Sequence, residues 1–252
     1  MLKKNPFSLE NKTILVTGAS SGIGRSISIE ISQMGACVIL TGRNQQKLHE
    51  TYEMLDASID QQHHMIVADM NIDEEIETLA KACPELDGVV FCAGINDKAP
   101  IKYVDRGRID KMYNVNVFGP MLLARSLIKQ KRIKKAASLV FISSISSIYA
   151  TVSNALYASS KGAINALVKV LALELSPKRI RVNSIMPGMV NTSMIHAYGL
   201  SDEEMASVVN GYPLGRIGET KDISNAAIYF LSDASSWTTG ANLVVDGGVT
   251  LR

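Results

Sequence analysis

Short apolar runs alternate along this chain with longer stretches in which apolar residues recur every third or fourth position. Thr13-Ile14-Leu15-Val16-Thr17, Cys37 to Thr41, Met65 to Ala68, Gly88 to Cys92, Ser138 to Ser143, Arg181 to Ile185 and Asn242 to Asp246 read as strands. Their nearly continuous apolarity fits strands covered on both faces. Between them, Ile23, Ile27, Ile31 and Met34 fall at helical spacing until Gly35 ends the helix. A polar helix follows Gly42-Arg43-Asn44 to about Ala57, and an acidic first turn opens another over Asp73 to Ala82. Further helices are predicted over Arg106 to Asn114, Asn116 to Lys131, Ser153 to Leu175 (stopped before Pro177) and Thr220 to Leu231. The long segment Met189 to Tyr212 holds one predicted helix from Asp202, capped by Ser201.

Strand-helix alternation without a linker, repeat or low-complexity stretch calls for a doubly wound parallel sheet with helices on both faces. The expected architecture is a single α/β domain over residues 1–252.

Composition narrows the function classes. With 46% hydrophobic and 20% charged residues the 252-residue chain has an ordinary globular balance. A formal charge of +2 is too small to argue for nucleic acid or an anionic membrane as partner, and neither is expected. No apolar run approaches the roughly 18 residues of a membrane span. Met1 to Glu10 carries Lys3 and Lys4 without a following apolar segment, so no signal peptide is expected. Cys37, Cys83 and Cys92 are odd in number, lack metal-ligand spacing and sit in apolar or helical runs. They read as reduced core residues of a cytoplasmic protein.

The first strand runs into Gly18-Ala19-Ser20-Ser21-Gly22-Ile23-Gly24 and then a helix. Unpaired backbone N–H groups and the positive end of the helix dipole make such a turn an anion site. The Gly-xxx-Gly-x-Gly spacing differs from the common dinucleotide fingerprint, and no Gly-Lys-Ser/Thr follows as in a P-loop. Its place after the first strand suits a dinucleotide. An acidic residue ending the second strand would pair with a ribose 2′-hydroxyl; here Gly42 and Arg43 stand instead. A guanidinium recognises phosphate well, so NADP(H) is the expected cofactor. Asp69, with Met70 beside it, ends the third strand where the adenine would lie, although an acidic residue there also commonly caps a helix.

Tyr157 and Lys161 are four residues apart, on one face of the predicted helix, with Ser144 thirteen residues upstream of the tyrosine. An ammonium beside the phenol would lower its pKa towards the range where proton transfer is efficient, and Ser144 would give the same substrate oxygen a neutral hydrogen bond.

Thr17-Gly18-Ala19-Ser20-Ser21-Gly22-Ile23-Gly24, Asn116-Val117-Phe118-Gly119, Ser143-Ser144, Tyr157-Ala158-Ser159-Ser160-Lys161, Pro187-Gly188-Met189-Val190-Asn191-Thr192 and the ending Thr239 to Gly248 together resemble the short-chain dehydrogenase/reductase family, in its shorter single-domain branch. The resemblance covers residue 13 to the end. It implies a Rossmann-like sheet of seven strands and reversible hydride transfer between a nicotinamide and a carbonyl or hydroxyl. It assigns proton transfer to Tyr157, carbonyl polarisation to Ser144, and to Lys161 both a lowering of the tyrosine pKa and a hold on the nicotinamide ribose. Asn116 would help hold a water that relays protons. Pro187, Gly188, Val190 and Thr192 would border the nicotinamide, and Ala93 and Gly94 join the cofactor contacts. It also implies a homo-oligomer, a tetramer built on the two long helices and the C-terminal strand region. One departure stands out: the family usually has Asn-Ala-Gly where this chain has Cys92-Ala93-Gly94, which puts local rigidity in doubt more than chemistry. A buried cysteine normally serves as a small hydrophobe.

Other features have plainer readings. His63 and His64 are expected on the solvated surface, and the basic run Lys129 to Lys135 at a helix C-terminus. In reductases of this family that act on acyl carrier protein, basic residues near here help dock the acidic carrier. Lys135 and Lys178 lie at about the corresponding positions, and a solvated basic face is the plainer reading of them. Met189, Met194, Ile195, Tyr198, Met205 and Tyr212 fall in the segment that closes over substrate in such enzymes, while core or subunit roles remain open for some of them. The leading reading is an NADP(H)-dependent carbonyl reductase acting on a small-molecule substrate, with the 3-oxoacyl-carrier-protein type, its substrate carried on acyl carrier protein, as one candidate form. A sugar, polyol or steroid alcohol dehydrogenase would use the same residues, and the loop Ile95 to Ile101 would share in the choice. An epimerase or dehydratase of the longer branch would need a different glycine spacing and an added substrate region. A non-catalytic cofactor-binding regulatory protein on the same fold would be expected to have lost Tyr157, Lys161 or Ser144.

Overall fold

The structure, a computed structural model, describes residues 5–58 and 61–251. The stretch bearing Lys3 and Lys4 lies outside the described residues. Seven parallel strands form one sheet in the order β3-β2-β1-β4-β5-β6-β7. They are β1 Thr13–Thr17, β2 Cys37–Gly42, β3 His64–Val67, β4 Leu86–Phe91, β5 Ile133–Ile142, β6 Arg181–Pro187 and β7 Asn242–Val245. The helices are α1 Gly22–Gln33, α2 Gln45–Tyr52, α3 Asp73–Ala82, α4 Arg106–Tyr113, α5 Gly119–Lys129, α6 Ala155–Leu175, α7 Ser193–His196, α8 Asp202–Asn210 and α9 Thr220–Leu231.

Alternation along each strand divides the core into two layers. Leu15 of β1 packs with Leu123 and Leu127 of α5 and Ile164 and Val168 of α6. Its neighbours Ile14 and Val16 face the other way, among Ile27 and Ile31 of α1 and Ile223 and Ala227 of α9. Phe91 of β4 stacks on Phe141 of β5 with ring centroids 4.2 Å apart, fixing the centre of the sheet. Order reverses between β1, which continues through β2, and β4, which leads away on the other side. A crevice forms at the carboxyl ends of the strands where the order reverses. Among the described residues, no helix is long and apolar enough to cross a membrane.

Several predicted boundaries move. β5 starts at Ile133, five residues early, because Leu86 pairs with Ile133 before a register shift brings Gly88 opposite Ser138. The basic run is thereby split: α5 ends at Lys129, and Lys134 lies in β5 with its Nζ 2.7 Å from Asp87. The helices predicted around Asn116 form one continuous rod, joined by a π-helical turn over Asn114–Phe118. α8 begins at Asp202 with a reciprocal Ser201–Glu204 capping box, as its sequence signals. His64 is exposed, but His63 is buried, which corrects the solvated reading. Its Nδ1 accepts from Val38 N at 3.0 Å and its Nε2 meets the Asp56 carbonyl at 2.8 Å, so the ring ties β2 to the loop after α2.

Candidate active site

The turn after β1 is shaped by what a side chain would strike. Gly18 has φ +67°, and a Cβ there would stand 2.8 Å from Ala93 Cα; one on Gly24 would collide with the Gly18 carbonyl. Thr17 Oγ1 accepts from Cys92 N at 2.9 Å and Ala93 N at 3.0 Å, so the ends of β1 and β4 are laced together. Ser21 is the N-cap of α1 but gives it no side-chain cap, which leaves the first N–H groups for a ligand. Arg25, not singled out by the sequence, braces the turn: its Nη2 donates to the Ser20 carbonyl at 2.7 Å and its Nε to Thr51 Oγ1 at 2.9 Å.

This turn is one end of a cleft of about 700 Å³. Every cofactor-contacting residue expected from the sequence lines it, from Gly18, Ser20, Ser21, Gly22, Ile23 and Gly24 through Arg43, Asp69, Met70, Ala93 and Gly94 to Pro187, Gly188, Val190 and Thr192. Thr192 lies across the opening, with Gly22 positioned so that a Cβ would touch its methyl group at 3.4 Å. Asp69 also accepts from Asn71 N at 2.9 Å, turning the chain towards α3.

Ser144, Tyr157 and Lys161 meet at the other end of the same cleft. Ser144 follows β5 on a tight turn, and its Oγ accepts from Ser146 N at 3.1 Å. Lys161 is buried, and its Nζ donates to the Ile142 carbonyl at 2.8 Å, lying 5.5 Å from the centroid of the Tyr157 ring. Burial pulls the Lys161 pKa down to about 8. The Tyr157 phenol departs from expectation. Desolvation pushes its pKa well above the ordinary value, nearby Tyr198 and Cys92 add to the rise, and the Ser144 hydroxyl pulls the other way. Loss of water around the phenol thus dominates its titration, against the lowering expected from Lys161.

Asn116 is 1% exposed and stands behind the cleft wall, on the π-helical turn. Its Oδ1 accepts from Ile95 N at 2.8 Å, and its Nδ2 donates to the Ile95 carbonyl at 2.9 Å and lies 3.2 Å from Ser160 Oγ. The side chain therefore braces the chain leaving β4 and leaves little of its amide for a relayed water.

Over the opening, Met189, Met194, Ile195, Tyr198 and Tyr212 line the cleft, as the sequence suggested; Met205 is not among its lining residues. Asn96 Nδ2 donates to Tyr198 Oη at 2.6 Å, and Lys98 Nζ lies 4.2 Å from the centre of that ring. Asn96, Lys98, Ser146, Tyr149 and Asn154 also face the cleft. Asn96 and Lys98 belong to the loop Ile95 to Ile101 expected to share in substrate choice, whereas nothing in the sequence tied Ser146, Tyr149 or Asn154 to Tyr157.

A family model described as enoyl-(acyl carrier protein) reductase matches residues 18–250. L-xylulose reductase of Caenorhabditis elegans is 34% identical over 96% of this chain and 97% of its own length. The 3-oxoacyl-[acyl-carrier-protein] reductase of Rickettsia felis is 31% identical over 96% and 98%. A solved Beutenbergia cavernae protein, assigned as an NAD(P)-dependent gluconate 5-dehydrogenase and holding NADP at low occupancy, superposes with a TM-score of 0.91 at 32% identity, over 98% of this chain and 100% of that one. The chain belongs to the short-chain dehydrogenase/reductase family.

That family uses a nicotinamide cofactor, and the residues present suit one. The glycine cradle admits no Cβ at Gly18 or Gly24, the start of α1 is uncapped by side chains, and the cleft reaches from there to Tyr157. At Cys92, the departure from the usual Asn-Ala-Gly of short-chain dehydrogenases, burial pushes the thiol pKa up to about 12, which disfavours the reactive thiolate. Its backbone N–H is held by Thr17, so a hydroxyl on β1 secures this strand end.

Proposed function

We propose that this chain is an NADP(H)-dependent reductase that interconverts a carbonyl and a secondary alcohol. The observation that carries this reading is the meeting of Ser144, Tyr157 and Lys161 in the cleft that also holds the glycine turn and Arg43. Gly18 to Gly24 would hold the pyrophosphate, and Arg43, following β2 with no carboxylate in its place, would take the 2′-phosphate. A nicotinamide held by these residues would supply the hydride, or the place to receive it, for the substrate carbon. Ser144 donates a hydrogen bond to the reacting oxygen, and Tyr157 gives or takes its proton, which avoids a free alkoxide. A phenol raised by burial holds its proton at neutral pH, the state that reduction needs. Lys161, fixed on the Ile142 carbonyl, presents the remaining ammonium hydrogens to the ribose side of the site.

Two substrate classes follow from the names of the relatives: a 3-oxoacyl thioester, with acyl carrier protein as its carrier, and a ketose or sugar acid. The reading extends to a cytoplasmic homotetramer. Purified chain is tested by following NADPH absorbance with acetoacetyl-coenzyme A, L-xylulose, a ketogluconate and cyclohexanone. NADPH consumption with at least one supports the reading; consumption with none overturns it.

A further inference from the structure

Two residues beyond Ser144, the half-buried Ser146 also lines the cleft. The two side-chain oxygens are 3.2 Å apart, with Ser144 donating to Ser146. Each oxygen also has a fixed N–H partner: Ser146 N donates to Ser144 Oγ at 3.1 Å, and Asn154 Nδ2 donates to Ser146 Oγ at 3.1 Å. A hydroxyl has two acceptor lone pairs and one proton to give. Ser146 Oγ already receives two donors, so its own proton is what it has left to offer, and it faces the cleft. When Ser144 turns its proton onto the reacting oxygen, Asn154 still occupies Ser146 as an acceptor. The wall then presents two O–H donors side by side.

Asn154 gives up other bonds to do this. It is the N-cap of α6, where an asparagine oxygen ordinarily accepts from the first helical N–H groups, yet it makes no such bond. Its Oδ1 is buried without a partner, and the residue is only 5% exposed. An orphaned buried acceptor asks for an explanation. An amide turned so that its N–H reaches Ser146 supplies one.

We propose that Ser146, oriented by Asn154, is a second substrate-facing donor that selects carbonyl compounds bearing another oxygen one or two carbons from the reacting one. The inference rests on the reading of Ser144 given under the proposed function. A ketone lacking the second oxygen leaves the Ser146 hydroxyl unpaired in a partly dry wall, and a site built to hydrogen-bond a substrate group discriminates against its absence.

The test compares kcat/KM for acetoacetyl-coenzyme A and L-xylulose with that for cyclohexanone in Ser146→Ala, Asn154→Asp and the double variant. Aspartate matches asparagine in size but only accepts, so it draws the Ser146 proton away from the cleft. Each single variant should lose about ten-fold on the oxygenated probe, mainly through KM, and little on cyclohexanone. Asn154→Asp should add nothing once Ser146 is alanine. Unchanged kcat/KM in Ser146→Ala, equal losses on both kinds of probe, or an Asn154→Asp penalty that persists without Ser146 would overturn the proposal. Ser144→Ala separates the two readings. If it turns over normally, the assignment of Ser144 falls and this inference with it. If it is impaired while Ser146→Ala is not, only the second donor falls.

Discussion

Lys161 directs its ammonium to the Ile142 carbonyl, 2.8 Å away, while lying beside the Tyr157 ring. The group is thus tied to the end of β5 and buried, and its pKa falls to about 8 from an ordinary 10.5. Below pH 8 both folded and unfolded chains carry the proton, and the full cost of burying the charge is present. Between pH 8 and 10.5 the unfolded chain binds the proton and the folded one does not, so stability rises with pH and the cost fades. Denaturant unfolding of Lys161→Met against the unmutated chain should show the variant relatively most stable near neutral pH. That advantage should shrink by on the order of 3 kcal/mol by pH 10.5. Parallel stability curves would contradict the burial of a charged Lys161.

Removing the Tyr157 hydroxyl removes the proton donor and leaves the glycine turn untouched. Tyr157→Phe should lower kcat by about a hundred-fold or more, with NADPH affinity by fluorescence titration nearly unchanged. Near-normal turnover would show that another group moves the proton.

Arg43 is exposed at the mouth of the cleft, so its effect should be confined to the adenosine end. The unmutated chain should bind NADPH more tightly than NADH, and Arg43→Ala should narrow the gap by roughly ten-fold or more, through weaker NADPH binding alone. Calorimetry giving equal affinities for the two cofactors in the unmutated chain would refute the 2′-phosphate role.

His63 is structural. Replacing it with phenylalanine leaves Val38 N without its acceptor and should cost about 1–3 kcal/mol in urea unfolding, with turnover per folded molecule preserved. An unaltered midpoint would mean that the ring contributes nothing.

Apolar side chains stand exposed on the two long helical segments: Leu173 of α6 is 78% exposed and Val170 is 52%, with Phe118 and Met121 in the other segment at 47% and 41%. Burying these against other copies of the chain would account for them. Light scattering at micromolar concentration should give the mass of a tetramer. A monomer would remove that explanation.

The sheet was legible because strands buried on both faces are written as unbroken apolar runs, and Thr13–Thr17 and the core of β5 show this. β5 began early because Lys134 and Lys135 look like a helix end, and a register shift cannot be read from one strand alone. The helix of Tyr157 and Lys161 and the glycine turn were found from spacing. What escaped was whatever depends on tertiary neighbours. Burial reverses the pKa trend at Tyr157, Asn116 spends its amide on Ile95, and Asn154 reads as part of a helix begun at Ser153 until the structure stands it before α6, beside Ser146.

The segment carrying α7 and α8 leaves and rejoins the body at neighbouring anchors. Val190 bridges to Gly218 at its start, and Tyr212 Oη, at its far end, accepts from Met189 N at 2.7 Å. Ser144, Tyr157 and Lys161 all lie outside that span. Such a segment is a cassette: much of its interior can be rewritten while Ser144, Tyr157 and Lys161 keep their places on the framework, and Tyr198 is the residue through which it also bears on the Tyr157 phenol.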